Sequence, residues 1–183
     1  MRLLRWLKLS VIYLLTSCTL LSSADFVVPS VVNFKGVIYQ KVTDTSLDAM
    51  QQMLYLAQDS TKDPNNWQQG VLIFLDKNKT GKTLQSRVAL RQQHFRQQNT
   101  LAKIMLTDQE LRTEVIYPPT ERFDNVQLEI TRGRDSHCGY SQIQFAEKRS
   151  ISAKNWQNLT AYQQALSTLA NEFAQLPWLI ECH

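Results

Sequence analysis

Between Leu101 and Phe145 apolar and polar residues alternate in steps of two, and this rhythm limits the possible folds more than any other feature of the chain. Successive side chains of a strand point to opposite faces, so alternation marks strands with one face in a core and one in water. Leu101–Leu106 and Glu110–Tyr117 read as two such strands, the second stopped by Pro118–Pro119. Val126, Leu128 and Ile130 then alternate with Gln127, Glu129 and Thr131. Arg132–Gly133–Arg134–Asp135 reads as a turn, and the chain returns through Cys138 to Phe145 as an antiparallel hairpin with one wet face.

The other segments fill in around this sheet. Asp25 to Val42 is β-rich, broken at Pro29 and Gly36. Thr45 reads as the N-cap of a helix from Ser46, with Asp48 in its first turn and Leu47, Met50, Leu54 and Ala57 at helical spacing. Gly70–Leu75 is an unbroken apolar run of the kind found in a strand covered on both faces. A second helix is expected over Thr83–Gln98, burying Leu84, Val88 and Phe95. A third spans Asn155–Leu176, with Trp156, Leu159, Tyr162, Leu166, Leu169, Phe173 and Leu176 at steps of three and four before Pro177 ends it. The predicted class is therefore α+β: a mainly antiparallel sheet with about three helices packed against one face, as a single domain over residues 25–183.

The first 24 residues stand apart. Arg2, Arg5 and Lys8 precede the apolar run Leu9–Leu15 and its extension to Leu21, and Ser22–Ser23–Ala24 offers small residues for a signal peptidase. Residues 1–24 read as a signal peptide, and the apolar run is short of the roughly 20 residues a membrane span needs. Leu15–Thr16–Ser17–Cys18 resembles the lipobox of bacterial lipoproteins, in which the cysteine is lipidated. Cleavage after Ala24 and lipidation at Cys18 are alternative endings of the leader.

With Cys18 removed or lipidated, Cys138 and Cys182 remain, and an oxidising compartment favours a disulfide between them. His137–Cys138 and Cys182–His183 form mirrored pairs that could suggest a metal. Adjacent residues of a strand point apart, however, and zinc sites space their ligands, so no metal is expected.

The formal charge of +4 shrinks once the leader is set aside, leaving seventeen basic and sixteen acidic residues from Asp25 onward. That near-neutral body is lopsided. Lys77, Lys79, Lys82, Arg87, Arg91, Arg96 and Lys103 fall in a stretch whose only acid is Asp76. Arg91 borders the Leu84/Val88/Phe95 stripe, an odd place for an unpaired cation. The stretch reads either as an anion-binding surface or as a face whose cations pair with acids elsewhere.

No motif identifies a reaction or a cofactor. Gly81–Lys82–Thr83 matches the tail of a phosphate-binding loop, but Asp76 occupies the position of its first glycine. Neither a nucleophile elbow nor a paired-histidine metal motif is present. Glu110 and Glu114 fall on one strand face about 13 Å apart, a spacing that suits solvated edge residues.

The expectation is an exported, periplasmic or membrane-tethered bacterial envelope protein that acts by binding rather than catalysis, without a cofactor. Its contact residues would be Lys77, Lys79, Lys82, Arg87, Arg91, Arg132 and Arg134, and its partner an acidic protein, glycan or lipid headgroup. On that reading, charge reversal at Arg87 and Arg91 removes binding and leaves the melting temperature nearly unchanged. Two rivals are a small hydrolase of envelope polymers using Glu114, Glu121 or His137, and a structural subunit of an envelope assembly docking through the weakly charged face of the last helix.

Overall fold

A computed structural model describes residues 24–98, 100–107, 109–151 and 159–183. The body is mostly antiparallel β: eight strands curl into a half-barrel. In chain order these are β2 (Val31–Phe34), β3 (Val37–Leu47), β4 (Met50–Ala57), β5 (Gln69–Asp76), β6 (Leu101–Leu106), β7 (Leu111–Tyr117), β8 (Asn125–Ser136) and β9 (Gly139–Ser150). Their order across the sheet is β2-β3-β4-β5-β9-β8-β7-β6. A separate ribbon pairs β1 (Phe26–Val27) with β10 (Glu181–Cys182). The described helices are α1 (Leu84–Gln97) and α2 (Leu159–Ala174).

The expectation of about three helices on one face is overturned, because residues 46–57 are not helical. They complete the β3–β4 hairpin, which turns at Asp48–Ala49 with Asp48 at φ 52°. Met53, Leu54, Tyr55 and Leu56 are all buried, since β4 lies inside the sheet and is covered on both sides. A strand buried on both faces loses its alternation, and its apolar residues then fit a helical stripe equally well.

The two helices lie on opposite faces. Residues directly opposite in an antiparallel pair share a face, so the register places Val126, Leu128 and Ile130 of β8 with Ile143 and Phe145 of β9. This side meets Leu166, Leu169 and Phe173 of α2 in the main core. The rings of Phe34, Phe145 and Phe173 meet edge to face there, at 4.9 and 5.4 Å between centroids. The expected start of α2 and Trp156 lie outside the described residues.

On the other face α1 packs Leu84 against Leu111 and Tyr140, a much smaller apolar cluster. Thr83 caps it, its Oγ1 accepting from the Ser86 amide at 3.2 Å. Gly81–Lys82–Thr83 is thus a loop entering a helix.

The expected turn at residues 132–135 lies inside β8, which runs on to Ser136; the reversal is at His137–Cys138. Gly133 is needed there as a flat spot, because a Cβ would fall 2.0 Å from the Tyr140 hydroxyl. Gly139, at φ 124°, has the Asp76 carbonyl 2.3 Å from where a Cβ would stand, so the β8–β9 turn lies against the end of β5.

Cys138 and Cys182, 44 positions apart in sequence, form a disulfide. It fastens the β1–β10 ribbon to the β8–β9 turn. A loop of that length is worth about 4 kcal/mol in the chain-entropy account. Cys182→Ser should therefore lower unfolding free energy by about 2–4 kcal/mol in urea titrations, and reducing agent should have the same effect on the native chain but none on the variant.

Candidate functional site

The end of the half-barrel that carries the disulfide gathers most of the cations noted in the sequence. They divide into an inner set that holds the fold and an outer set that faces solvent.

The inner set centres on Glu110, which is buried just before β7. Arg132 on β8 grips its carboxylate with two nitrogens, Nε at 3.0 Å and Nη2 at 3.2 Å. Arg134 donates to it at 2.7 Å, and Arg112 makes a third contact. Arg132 Nη1 also donates to the carbonyls of Phe173 at 3.1 Å and Leu176 at 2.6 Å. No basic residue lies in the last turn of α2, so a cation from the sheet satisfies that helix end. Burial alone would raise the Glu110 pKa; hydrogen bonds from the three guanidiniums outweigh it and hold it at about 2. The expectation that Glu110 is a solvated edge residue is therefore corrected.

Arg87 and Arg91 point inward from α1. Arg87 is buried, donates to Asp76 at 2.9 Å and lies 4.0 Å over the Tyr140 ring. Burial would raise the Asp76 pKa, but hydrogen bonds from Arg87 and the Asn78 amide bring it below the usual value. Arg91 donates to the Tyr140 hydroxyl at 2.9 Å and to Gln142. The cation bordering the apolar stripe thus has partners on the sheet. Arg87 and Arg132 are structural, and their proposed place on an open contact surface is corrected on that ground.

The outer set comprises Lys77, Lys79 and Lys82, all exposed in the loop between β5 and α1, and Arg134 belongs to both sets, bonded to Glu110 yet half-buried. Asn78 organises this loop by exchanging side-chain hydrogen bonds with the Lys82 main chain, 2.8 and 2.9 Å. Lys77 reaches Asp25 at 3.3 Å. Arg134 keeps 37% of its side chain exposed and lies 4.5 Å from the Trp178 ring centre. Arg134, Trp178, Asp135, Ser136 and Ser141 line a cleft of about 550 Å³. Trp178 was missed in the sequence reading; its place directly after Pro177, beyond a helix end, was the available signal.

The hydrolase candidates do not converge. Glu114 pairs with Lys103 at 3.3 Å on the α2 side of β7. Glu121 is exposed in the β7–β8 loop, and His137 is exposed at the far end of β8, roughly 35 Å away along a 12-residue strand. His137 lies with Cys138 and Cys182, their donor atoms within 4.8 Å, but the disulfide occupies both sulfurs.

One acid departs from expectation. Glu129, read as solvated, is buried between Val115 and Ala146 on the α1 face. Burial raises its pKa to about 7, against the opposing effects of Tyr117, Gln127 and Arg91. It would have been legible only if α1 were known to cover that face.

These two carboxyls give stability opposite pH dependences. Glu110 is depressed, so its contribution is complete above its ordinary value of 4.5 and is lost as pH falls toward about 2. Glu129 is raised, so the folded state retains a proton that the unfolded chain gives up, and stability falls as pH rises from 4.5 to about 7. Unfolding free energy should peak between about pH 4.5 and 5, and Glu129→Gln should flatten the decline on the neutral side by about 3 kcal/mol at most. Urea titrations across that range check both limbs.

A family model matches residues 26–178 of this chain. A protein of Haemophilus influenzae that carries only the description "Uncharacterized protein" is 29% identical over 131 residues, covering 66% of this chain. The match likewise spans 66% of the relative's length, just under two thirds. No solved structure matches.

Proposed function

The chain belongs to this uncharacterised family, and we propose that it is an exported protein of the bacterial cell envelope that acts by binding a phosphate-bearing partner at its disulfide-carrying end. The leader of residues 1–24, ended by cleavage after Ala24 or by lipidation at Cys18, supports export. A disulfide suits an oxidising compartment.

The observation that carries the reading is the separation of the cations into two sets. Arg87 and Arg132 are buried on buried carboxylates, whereas Lys77, Lys79 and Lys82 stand exposed and Arg134, though bonded to Glu110, keeps a half-exposed side chain beside Trp178. Contact between the β8–β9 turn and the end of β5 brings the lysine loop and Arg134 to the same end of the sheet. Lysines reach a phosphate as point charges, and a guanidinium offers it a planar fork. The Trp178 ring supplies an apolar face beside Arg134.

The test uses residues 25–183 with vesicles of phosphatidylglycerol and phosphatidylethanolamine, and in a parallel arm with soluble polyphosphate. Binding should weaken as salt rises, and Lys79→Glu/Lys82→Glu should abolish it with the melting temperature nearly unchanged. Binding to vesicles alone assigns a lipid surface, and binding to polyphosphate as well assigns phosphate from either source. Absence of salt-sensitive binding in both arms rejects the reading. Arg87→Met, by contrast, leaves Asp76 buried without its partner and should cost about 3–5 kcal/mol of stability.

A further inference from the structure

At the opposite end of α1 a second cleft opens, built from different chemistry. Its cavity of about 330 Å³ lies at the low end of the range for small-ligand sites, about 300–1,000 Å³. Trp67, Tyr117 and Phe123 supply aromatic surface, Asn125 and Gln127 supply amides, and Lys148 is the one charged residue in the lining.

The walls are set in place before any ligand arrives. The Lys148 amide donates to the Gln68 carbonyl at 2.8 Å, which pins the loop carrying Trp67 to β9. Thr120 and Phe123 exchange main-chain hydrogen bonds of 2.9 and 3.2 Å, closing the β7–β8 loop on itself. That closure holds Phe123 at the rim with half of its surface in solvent. Tyr117 and Gln127 both donate to Glu129 behind the cleft, each at 3.4 Å, which fixes their orientation.

Lys148 lies 3.8 Å from the Trp67 ring centre and opposite Gln127 in the sheet register. The neighbouring acid in sequence, Glu147, pairs instead with Arg149. Burial pushes the Lys148 ammonium down from its ordinary value, and no carboxylate among the described residues opposes that shift. A partly desolvated cation without an anion favours a ligand that supplies one.

We propose that this cleft binds an acidic sugar, with the pyranose ring against Trp67 and Phe123, its carboxylate on Lys148 and its hydroxyls on Asn125 and Gln127. The C–H face of a pyranose is apolar with slightly positive hydrogens, which matches the negative face of an aromatic ring. Its hydroxyls both donate and accept, as side-chain amides do. A purely aromatic anion would leave the amide rim unused.

Residues 25–183 are titrated with tri-galacturonate and, separately, with the neutral trisaccharide maltotriose, following the indole N–H signals of Trp67 and Trp178 by NMR. The Trp67 signal should shift saturably with tri-galacturonate while that of Trp178, at the other end of the sheet, stays in place. Maltotriose should bind about tenfold more weakly or worse, the loss expected when a charge-assisted hydrogen bond is not made. Lys148→Met keeps an unbranched side chain without the charge that lies over Trp67 and should remove the preference for the acidic sugar; Lys148→Arg should retain it. The proposal is overturned if the Trp67 signal does not move up to about 10 mM sugar, if the two sugars bind equally, or if Lys148→Met leaves the preference intact. A shift confined to Trp178 also overturns it, and places sugar binding at the cationic end instead.

Discussion

Arg132 joins three parts of the molecule that are distant in sequence. Its guanidinium donates to Glu110 at the start of β7 and closes the carbonyl end of α2. The geometry is bidentate on one side and helix-capping on the other, so nearly every donor of the group is used. Because Glu110 also holds Arg112 and Arg134, one buried carboxylate fixes the position of the guanidinium that lies beside Trp178. Arg134, a lining residue of the cationic cleft, therefore inherits its placement from a carboxylate that is itself out of reach of solvent. A buried pair of this kind gains little over a well-packed apolar replacement, yet losing one partner is expensive. Its value here is positional: it sets where α2 stops and where Arg134 lies.

The two faces of the half-barrel are held by different forces. On the α2 side a contiguous core of Phe34, Phe145, Phe173 and aliphatic residues does the work. On the α1 side the apolar cluster is small, and Arg87–Asp76, the stacking of Arg87 on Tyr140 and the Arg91–Tyr140–Gln142 contacts take its place. A polar layer works between a helix and a sheet only if its groups are satisfied. Glu129 shows the limit of that arrangement: with hydrogen bonds from Tyr117 and Gln127 alone, its charge is poorly supported and its proton is retained.

The strands of the second half were legible because they alternate, although the β8–β9 turn lies beyond the Arg132–Asp135 stretch expected for it, and α1 was legible from the stripe of Leu84, Val88 and Phe95. The β3–β4 hairpin was not, because Met53–Leu56 is apolar on both faces and period two vanishes there. The Cys138–Cys182 pairing followed from counting, since two cysteines allow one bond. The cationic surface was half legible. Composition located the lysines and arginines, but only tertiary structure could show that Arg87 and Arg132 meet buried acids whereas Lys77, Lys79 and Lys82 do not. Arg91, bordering an apolar stripe, was read as a contact residue, and its partners Tyr140 and Gln142 on the sheet were not foreseen. The aromatic cleft was illegible, since Trp67, Phe123 and Lys148 come from three separate segments.

Asp25 and His183 exchange both of their main-chain hydrogen bonds, at 2.7 and 3.1 Å, and the residue before His183 is bonded to Cys138. This sets the path of a mechanical load. Tension applied at His183 passes through one residue into the disulfide and on to the β8–β9 turn, bypassing everything between Cys138 and Cys182. The strand β9, the helix α2 and the tail bearing Trp178 are then a covalently shunted loop, loaded only through their non-covalent contacts with the rest of the sheet. Only the short β1–β10 ribbon, opened pair by pair, and the sheet before Cys138 resist extension, and the first strand drawn on after the ribbon is the edge strand β2, so the main aromatic core loses Val32 and Phe34 at the outset.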